Sequence, residues 1–174
     1  MKLFNNENSE AYTDLQNEDE NKYIIFKLCH ELYAIKLLSI KEVVEVLPIK
    51  SVPNTVKSFK GVCNLRGQII GVIDLKTRFN LSYEKTNRPV LLIFELSSCI
   101  LAAEVDEISA ITLIHPIEIQ SQVEIISNIS LNFIKGIAKH ENKLITILDL
   151  HAVMNSEEIH SIENSKIINY EIQV

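Results

Sequence analysis

The chain has 174 residues, of which 47% are hydrophobic and 23% charged, and it contains no tryptophan. This length and apolar content predict a globular protein with one domain, or with two small domains that share an interface. The net charge of −6 is concentrated at the ends, since residues 1–21 carry −5 and residues 156–174 carry −3, which leaves +2 for the body. With 6% aromatic residues, this body lacks the basic, ring-lined groove of nucleic-acid binders, which argues against nucleic acid as a partner.

Residues 1–21 are rich in Asn, Glu and Asp and contain few aliphatic side chains. Such a segment cannot bury enough apolar surface to offset its ordering entropy, so we predict a disordered acidic arm. The arm has no apolar run long enough for a secretory signal, and no segment approaches the roughly 18 apolar residues of a membrane span. We therefore expect a cytoplasmic protein.

From Tyr23 onward the sequence consists of short apolar runs, rich in β-branched residues and separated by Gly, Pro, Asn and Ser. Runs of this length and composition predict β-strands. In the first half of the chain they cover Tyr23 to Leu28, Leu32 to Leu37, Ile40 to Leu47, Phe59 to Leu65 and Ile69 to Ile73.

The second half of the chain repeats the first in the same order. Gly61 precedes Asp74 by 13 positions and Gly136 precedes Asp149 by the same 13, which defines an offset of 75. A weaker correspondence at an offset of 68 carries Phe26, Leu28, Ala34 and Ile40 onto Phe94, Leu96, Ala102 and Ile108. The difference between the two offsets predicts an insertion in the second copy, between residues 113 and 132.

Each copy has a tight turn between two apolar runs, with Gly67 in the first copy and Asn142 at the equivalent place in the second. Gly and Asn tolerate the positive φ that a two-residue hairpin needs. Each copy then reads as three strands, a hairpin, a further strand and a short closing helix. This pattern predicts a mostly β fold of two packed five-stranded barrels, because closing a sheet removes its exposed edges.

The candidate catalytic and metal-binding residues have structural explanations. Asp74 and Asp149 end apolar strands and open short helical stretches, so both are predicted to be helix N-caps. Cys29 and His30 are neighbours in a predicted strand and would point to opposite faces, which prevents a nucleophile-and-base pair. The other histidines lack ligand spacing, and the chain has no phosphate-binding glycine loop. We therefore expect no catalysis, no metal and no cofactor.

The three cysteines, Cys29, Cys63 and Cys99, are odd in number and have no C-x-x-C spacing. This pattern fits neither a disulfide framework nor a zinc site. We predict reduced thiols in the core.

The two copies differ most informatively at the hairpin tip. Asn64 to Gly67 reads NLRG, whereas Lys139 to Asn142 reads KHEN, so an arginine in copy one is replaced by an acid in copy two. The run from Ile40 to Val46 is predicted to be a strand with alternating faces that brings Glu42 near Arg66. A planar guanidinium suits such a pairing. On spacing alone, a solvated turn arginine remains the competing interpretation.

These segments resemble the CheW family of bacterial chemotaxis coupling proteins, from Tyr23 to about Glu158. The matching motifs include YIIFKL from Tyr23, IKEV from Ile40, VPN from Val52, KGVCNLRG from Lys60, VIDLKTRF from Val72, VDEI from Val105 and IKG from Ile134. Departures from the family pattern are Gly71, where proline is common, and Ala102, where glycine is frequent.

The resemblance implies two packed SH3-like barrels within residues 22–158, at about 22–86 and 87–155, with interleaved boundaries left open. It implies a non-catalytic scaffold that links the cytoplasmic tips of chemoreceptors to the histidine kinase CheA in receptor arrays, with only indirect membrane association. The receptor's helical tip would lie against an apolar surface near the junction of the barrels. The receptor-facing residues would be Ile40, Glu42, Val43, Asn64, Leu65, Arg66 and Gly67. The residues that the repeat assigns to the architecture are Gly61, Asp74, Gly136, Asn142 and Asp149.

Three alternatives stay open at this stage. A coupling protein of the CheV type would need a further phospho-acceptor domain of about 100 residues or more, so the length of 174 residues argues against it, as it does against a detached CheA regulatory domain. A detached CheA regulatory domain is a second relative, and a small-barrel nucleic-acid binder is a third. The segment 159–174 is either a docking helix or a frayed tail.

Overall fold

The structure, a computed structural model, describes residues 19–53, 55–82, 86, 88–96, 99–120, 131–154 and 157–159. Most of the predicted acidic arm and all of the predicted tail after residue 159 lie outside the described residues. So does most of the predicted insertion between residues 113 and 132.

The described part of the chain is mostly β-structure, as predicted. Its strands are β1 (Lys22–Leu28), β2 (Glu31–Lys36), β3 (Ile40–Glu45), β4 (Phe59–Leu65), β5 (Gln68–Asp74), β6 (Val90–Leu96), β7 (Cys99–Val105), β8 (Glu107–Leu113), β9 (Ile119–Gln120), β10 (Ile134–His140) and β11 (Lys143–Leu148). The short helices are α1 (Leu75–Arg78) and α2 (Leu150–Val153), and single 3-10 turns cover Leu37–Ser39, Pro116–Glu118 and Leu131–Phe133.

The strands form two sheets, which we call the central barrel and the terminal barrel. The central barrel contains β3 to β7 in the order β3-β6-β7-β5-β4. It is closed by Lys50, whose backbone exchanges two hydrogen bonds with Val62 on β4. The terminal barrel has the order β8-β1-β2-β11-β10-β9. The two edge strands, β8 and β9, are consecutive along the chain, so the chain itself connects the two edges of this sheet.

The two barrels are interleaved in sequence. The terminal barrel takes β1 and β2 from the first copy of the repeat and β8 to β11 from the second, while the central barrel takes β6 and β7 from the second copy. Neither barrel therefore corresponds to the contiguous halves 22–86 and 87–155. Each copy supplies its first hairpin to the barrel of the other copy.

Strand pairing obeys the repeat throughout. The antiparallel pair β1–β8 matches β3–β6, and the parallel pair β2–β11 matches β5–β7. The register shifts match too, because Lys41 and Ser109 are both extra residues opposite the exchanged hairpin, and Lys60 and Lys135 are both extra residues in the β4–β5 and β10–β11 hairpins. These bulges fall at offsets of 68 and 75, the two offsets seen in the sequence.

The apolar core has three parts. One cluster fills the central barrel, with Cys63, Ile70, Val72, Leu91, Ile93 and Ala102. A second fills the terminal barrel, with Tyr23, Ile25, Ala34, Ile114, Ala138, Ile145 and Ile147. The largest lies between the barrels and includes Phe26, Tyr33, Phe79, Leu92, Phe94 and Leu148. The interface between the barrels is thus the main hydrophobic core of the molecule, and its burial joins them into one body.

The turn and cap predictions are confirmed. Gly67 and Asn142 have φ values of 92° and 61°, each preceded by another residue with positive φ in a two-residue hairpin turn. Asp74 Oδ1 accepts hydrogen bonds from the backbone N–H groups of Lys76 and Thr77, and Asp149 Oδ1 accepts one from that of His151. These aspartates therefore stabilise the helix N-termini that follow their strands.

One detail of the sequence interpretation is wrong. Cys29 does not lie in a strand but in the turn between β1 and β2, with φ at 56°. It is only half-buried, whereas Cys63 and Cys99 are buried. The prediction of core thiols thus holds for two of the three cysteines, because a positive-φ turn position keeps Cys29 at the surface.

The hairpin tip of β10 and β11 is tied to the seam of the terminal barrel. His140 Nδ1 lies 2.9 Å from Glu118 Oε1, and the backbone N–H of His115 donates to Glu118 Oε2 at 2.8 Å. The hydrogen bond with His140, followed by that from His115, lowers the pKa of Glu118 below its ordinary value of 4.5. A single carboxylate thus connects β10 to the turn between β8 and β9.

Glycine substitutions test the closure of the central barrel. Gly61 has φ at 144°, and a Cβ atom there would lie 2.3 Å from the backbone oxygen of Lys50, the residue that closes the sheet. A Cβ at Gly67 would meet nothing within 4 Å. We expect Gly61→Ala to lower the free energy of unfolding by about 3 kcal/mol and Gly67→Ala by about 1 kcal/mol. Urea denaturation measures both, and equal losses would contradict the close approach at Gly61.

Acid titration tests the seam of the terminal barrel. The folded-state pKa of Glu118 is lowered, so its contribution to stability is present above the unfolded-state pKa and disappears as the pH falls through the folded-state pKa. Glu118→Gln is therefore expected to lower Tm at neutral pH and to have little effect once the carboxyl is protonated. Thermal unfolding across an acidic pH series measures this. Glu141→Gln, at the exposed tip of the same hairpin, is the control for the loss of one surface carboxylate.

Candidate functional site

The β4–β5 hairpin tip is a rigid turn that presents Arg66. Asn64 Oδ1 accepts a hydrogen bond from the backbone N–H of Gly67 at 2.7 Å, and this bond connects the two ends of the turn. Arg66 and Gly67 both have positive φ, at 53° and 92°. Leu65 packs against the interior of the central barrel. The tip is thus anchored on both sides, and the arginine projects from a fixed backbone.

Arg66 and Glu42 form the ion pair that the sequence predicted. Arg66 Nη2 lies 2.8 Å from Glu42 Oε2, with the arginine side chain 77% exposed and the glutamate side chain largely covered. A pair this exposed contributes at most about 1 kcal/mol to stability. Its main effect is to fix the direction of the guanidinium rather than to hold the fold together.

The bulge in β3 decides which side chains share a face. The register shifts between Ile40 and Glu42, so Ile40 pairs with Phe94 and Val43 pairs with Leu92, both residues of the inter-barrel cluster. Paired residues point to the same side of a sheet, so Ile40 and Val43 share one face. The simple alternation expected from the sequence is therefore interrupted at Lys41.

A groove lies beside this strand, at the junction of the barrels. It encloses about 300 Å³ and is lined by Leu38, Ser39, Lys41, Phe94, Glu95, Leu150 and His151. Phe94 and Leu150 belong to the inter-barrel cluster and form an apolar base, and Lys41 forms an ion pair with Glu95. Leu38 is 67% exposed. An exposed leucine above an apolar base is the type of surface that receives an apolar face of a partner.

The sequence-predicted residues adjoin this groove without lining it. On β3, Ile40 precedes Lys41, and Glu42 and Val43 follow it. Arg66 contacts this strand through its ion pair with Glu42. Sequence reasoning missed the lining residues themselves, above all Leu38, because they come from four separate elements. A signal was available in the repeat, since the offset of 68 places Asp106 opposite Leu38, and such a polar-for-apolar difference marks a position where the copies diverge.

The equivalent tip of the second copy is built differently. His140 takes the place of Leu65 and is bonded to Glu118, and Glu141 takes the place of Arg66 and is exposed. Copy two therefore presents an acid on its turn where copy one presents a guanidinium. Only the copy-one tip carries a cation beside the groove strand.

Within the described ranges, no group of three His, Cys, Asp or Glu side chains is placed to hold a metal ion. Among the same residues, no helix has the length and apolar character needed to cross a membrane. Asp74 and Asp149, the strongest catalytic candidates by position, are engaged as helix caps.

Comparisons with known proteins agree on one family. A family model of the CheW-like domain matches residues 22–158. The chemotaxis protein CheW of Bacillus subtilis is 33% identical over 141 residues, covering 80% of this chain and 90% of its own, and that of Helicobacter pylori is 30% identical, covering 81% and 86%. A crystal structure of the scaffolding protein TtCheW from Thermoanaerobacter tengcongensis superposes with a TM-score of 0.74 at 31% identity, covering 80% of this chain and 90% of that one. The chain therefore belongs to the CheW family of chemotaxis proteins.

Proposed function

We propose that this chemotaxis adaptor of the CheW family holds the helical tip of a chemoreceptor in its inter-barrel groove and couples it to the histidine kinase CheA. The observation that carries the proposal is the groove, where exposed Leu38 stands above the buried Phe94 and Leu150. Burial of apolar surface is the main source of affinity when an amphipathic helix docks in a groove. The role is that of a non-catalytic scaffold in the cytoplasm at receptor arrays.

Val43 and Ile40 extend the apolar surface of the groove along β3. Val43 is exposed and lies on the same face as Ile40, as the bulge dictates. The spacing of apolar positions along a receptor helix can match such a strip, because side chains three and four residues apart share one helix face. The receptor helix is thus expected to run along β3 rather than across it.

Arg66 orients the partner beside this apolar strip. Its contact with Glu42 uses Nη2, and the side chain is 77% exposed, so other N–H groups of the guanidinium face solvent. A guanidinium carries five N–H donors in a planar fork, which suits carboxylates or backbone carbonyls on a helix. Glu42 and Arg66 together with the turn residues Asn64, Leu65 and Gly67 therefore form the polar side of the proposed receptor surface.

The proposed adaptor role requires a second contact, to CheA. A protein with two barrels offers faces away from the groove, and linked weak contacts reinforce one another through effective concentration. Reconstituted CheA with a chemoreceptor fragment, assayed for kinase activity with and without this chain, tests the role. The chain is expected to make kinase activity depend on the receptor, and unchanged activity would contradict it.

Arg66→Ala tests the orienting residue. The free energy of unfolding is expected to change by less than about 1 kcal/mol, because the ion pair is exposed, whereas affinity for a receptor fragment falls about tenfold. Urea denaturation and calorimetric titration measure the two effects. Glu141→Ala, at the equivalent turn position of copy two, is the matched control and should leave both unchanged. Receptor affinity that survives Arg66→Ala intact would remove Arg66 from the site.

Leu38→Ser tests the groove. Loss of the exposed leucine is expected to weaken binding of the receptor fragment about tenfold, since it removes apolar contact at the centre of the interface. The stability of the fold should change little, because Leu38 is exposed. Ile117→Ser is the control, as Ile117 is 93% exposed on the turn between β8 and β9, away from the groove. Equal losses in both variants would show that the groove does not select the receptor.

A further inference from the structure

The groove has a counterpart elsewhere in the molecule, because the two copies are related by the repeat. The offsets of 68 and 75 carry Leu38 onto Asp106 and relate His151 to Lys76. They also relate the base residues, since Phe94 corresponds to Phe26 and Leu150 to Leu75, all of which are buried. The matching strand pairs and bulges place these four positions equivalently around the second barrel junction.

The residues at the counterpart are buried, whereas the equivalent residue Leu38 in the groove is exposed. Leu38 is 67% exposed, but Asp106 is 8% exposed and Lys76 is 7% exposed. Lys76 Nζ lies 2.5 Å from Asp106 Oδ1. The two charged side chains thus meet at the positions that Leu38 and His151 occupy in the groove.

Ser82 and Thr86, two residues between the two copies, also form hydrogen bonds at the counterpart. Thr86 Oγ1 donates to the backbone oxygen of Asp106 at 3.0 Å, and Cys29 Sγ donates to the backbone oxygen of Ser82 at 3.0 Å. The backbone N–H of Cys29 donates to Asp106 Oδ2 at 2.7 Å. Asp106 therefore connects α1, the β1–β2 turn and the connecting segment at a single point.

We propose that Lys76 and Asp106 are specificity-determining residues that close a second receptor groove, so that each chain binds one receptor tip. The proposal rests on the proposed function and concerns the valency of the same type of site. A buried ion pair is a weak source of net stability, because desolvation of both charges offsets their attraction. What it does here is fill the junction with groups that an apolar helix face cannot replace without leaving a charge unpaired. A receptor tip would therefore bind at the open groove and not at its counterpart.

Moving the ion pair into the open groove tests the proposal. In Leu38→Asp with His151→Lys the residues of the closed side replace those of the open side, at positions that are exposed, so the fold should be retained. We expect the affinity for a chemoreceptor cytoplasmic fragment to fall about tenfold more than in the neutral control, Leu38→Asn with His151→Gln. Calorimetric titration measures both. Equal affinity in the charged and neutral variants would overturn the proposal.

The reverse exchange tests the closed side. In Lys76→His with Asp106→Leu, the number of receptor fragments bound per chain is expected to rise from one towards two, and alkylation of Cys29 should become faster as the connection loosens. A folded variant with faster alkylation but a single site would overturn the proposal. If this variant unfolds, the comparison of Leu38→Asp with His151→Lys against its neutral control still tests the proposal, because those positions are exposed. A wild-type chain that binds no receptor fragment would instead contradict the proposed function, which keeps the two failures distinguishable.

Discussion

Strands β2 and β11 pair in parallel, as do β5 and β7, and in both cases one strand comes from each copy of the repeat. These two ladders hold the exchanged hairpins in place. Without the hairpin from the other copy, neither barrel would be complete, and the inter-barrel cluster would lose one of its walls. The exchange therefore joins the barrels both through the chain and through buried apolar contacts, so we expect them to unfold together rather than as two domains on a linker.

The groove exists because of this exchange. Its base residue Phe94 lies on β6, a hairpin strand donated by copy two to the central barrel, and Leu150 lies on α2, which follows the last strand of the terminal barrel. Leu38 stands on the turn where the chain crosses from one barrel to the other. The proposed receptor site combines the turn between the barrels, a strand donated by copy two and a helix of the opposite barrel, so its geometry is set by the whole fold.

Local features of this structure could be predicted from the sequence, and the exchange could not. The strand positions, the turns at Gly67 and Asn142 and the caps at Asp74 and Asp149 follow from short-range patterns and steric rules. In a duplicated chain, short-range patterns do not determine which strands pair with each other. Because β3 and β8 carry similar patterns, β1 has an equally suitable partner in either copy, and local sequence does not distinguish them.

The site shows the same division between local and long-range information. The contact between Glu42 and Arg66 could be predicted because both side chains lie near the ends of neighbouring apolar runs of one copy. The shared face of Ile40 and Val43 could not, since it depends on the bulge at Lys41, which an alternating pattern does not reveal. The groove lining was also missed, because its residues meet only after the barrels have packed together.

The positions where the copies diverge follow from what the backbone requires. A Cβ on Gly61 would meet the Lys50 carbonyl, and one on Gly136 would meet the Gln120 carbonyl, so neither position can change without opening a barrel seam. The crossings impose no such demand. In copy one the chain crosses through a three-residue turn, and in copy two it crosses at Asp106 alone, between β7 and β8. The backbone can pass from one barrel to the other with many different side chains at these positions. The two copies can therefore differ in surface residues here while their backbones remain equivalent.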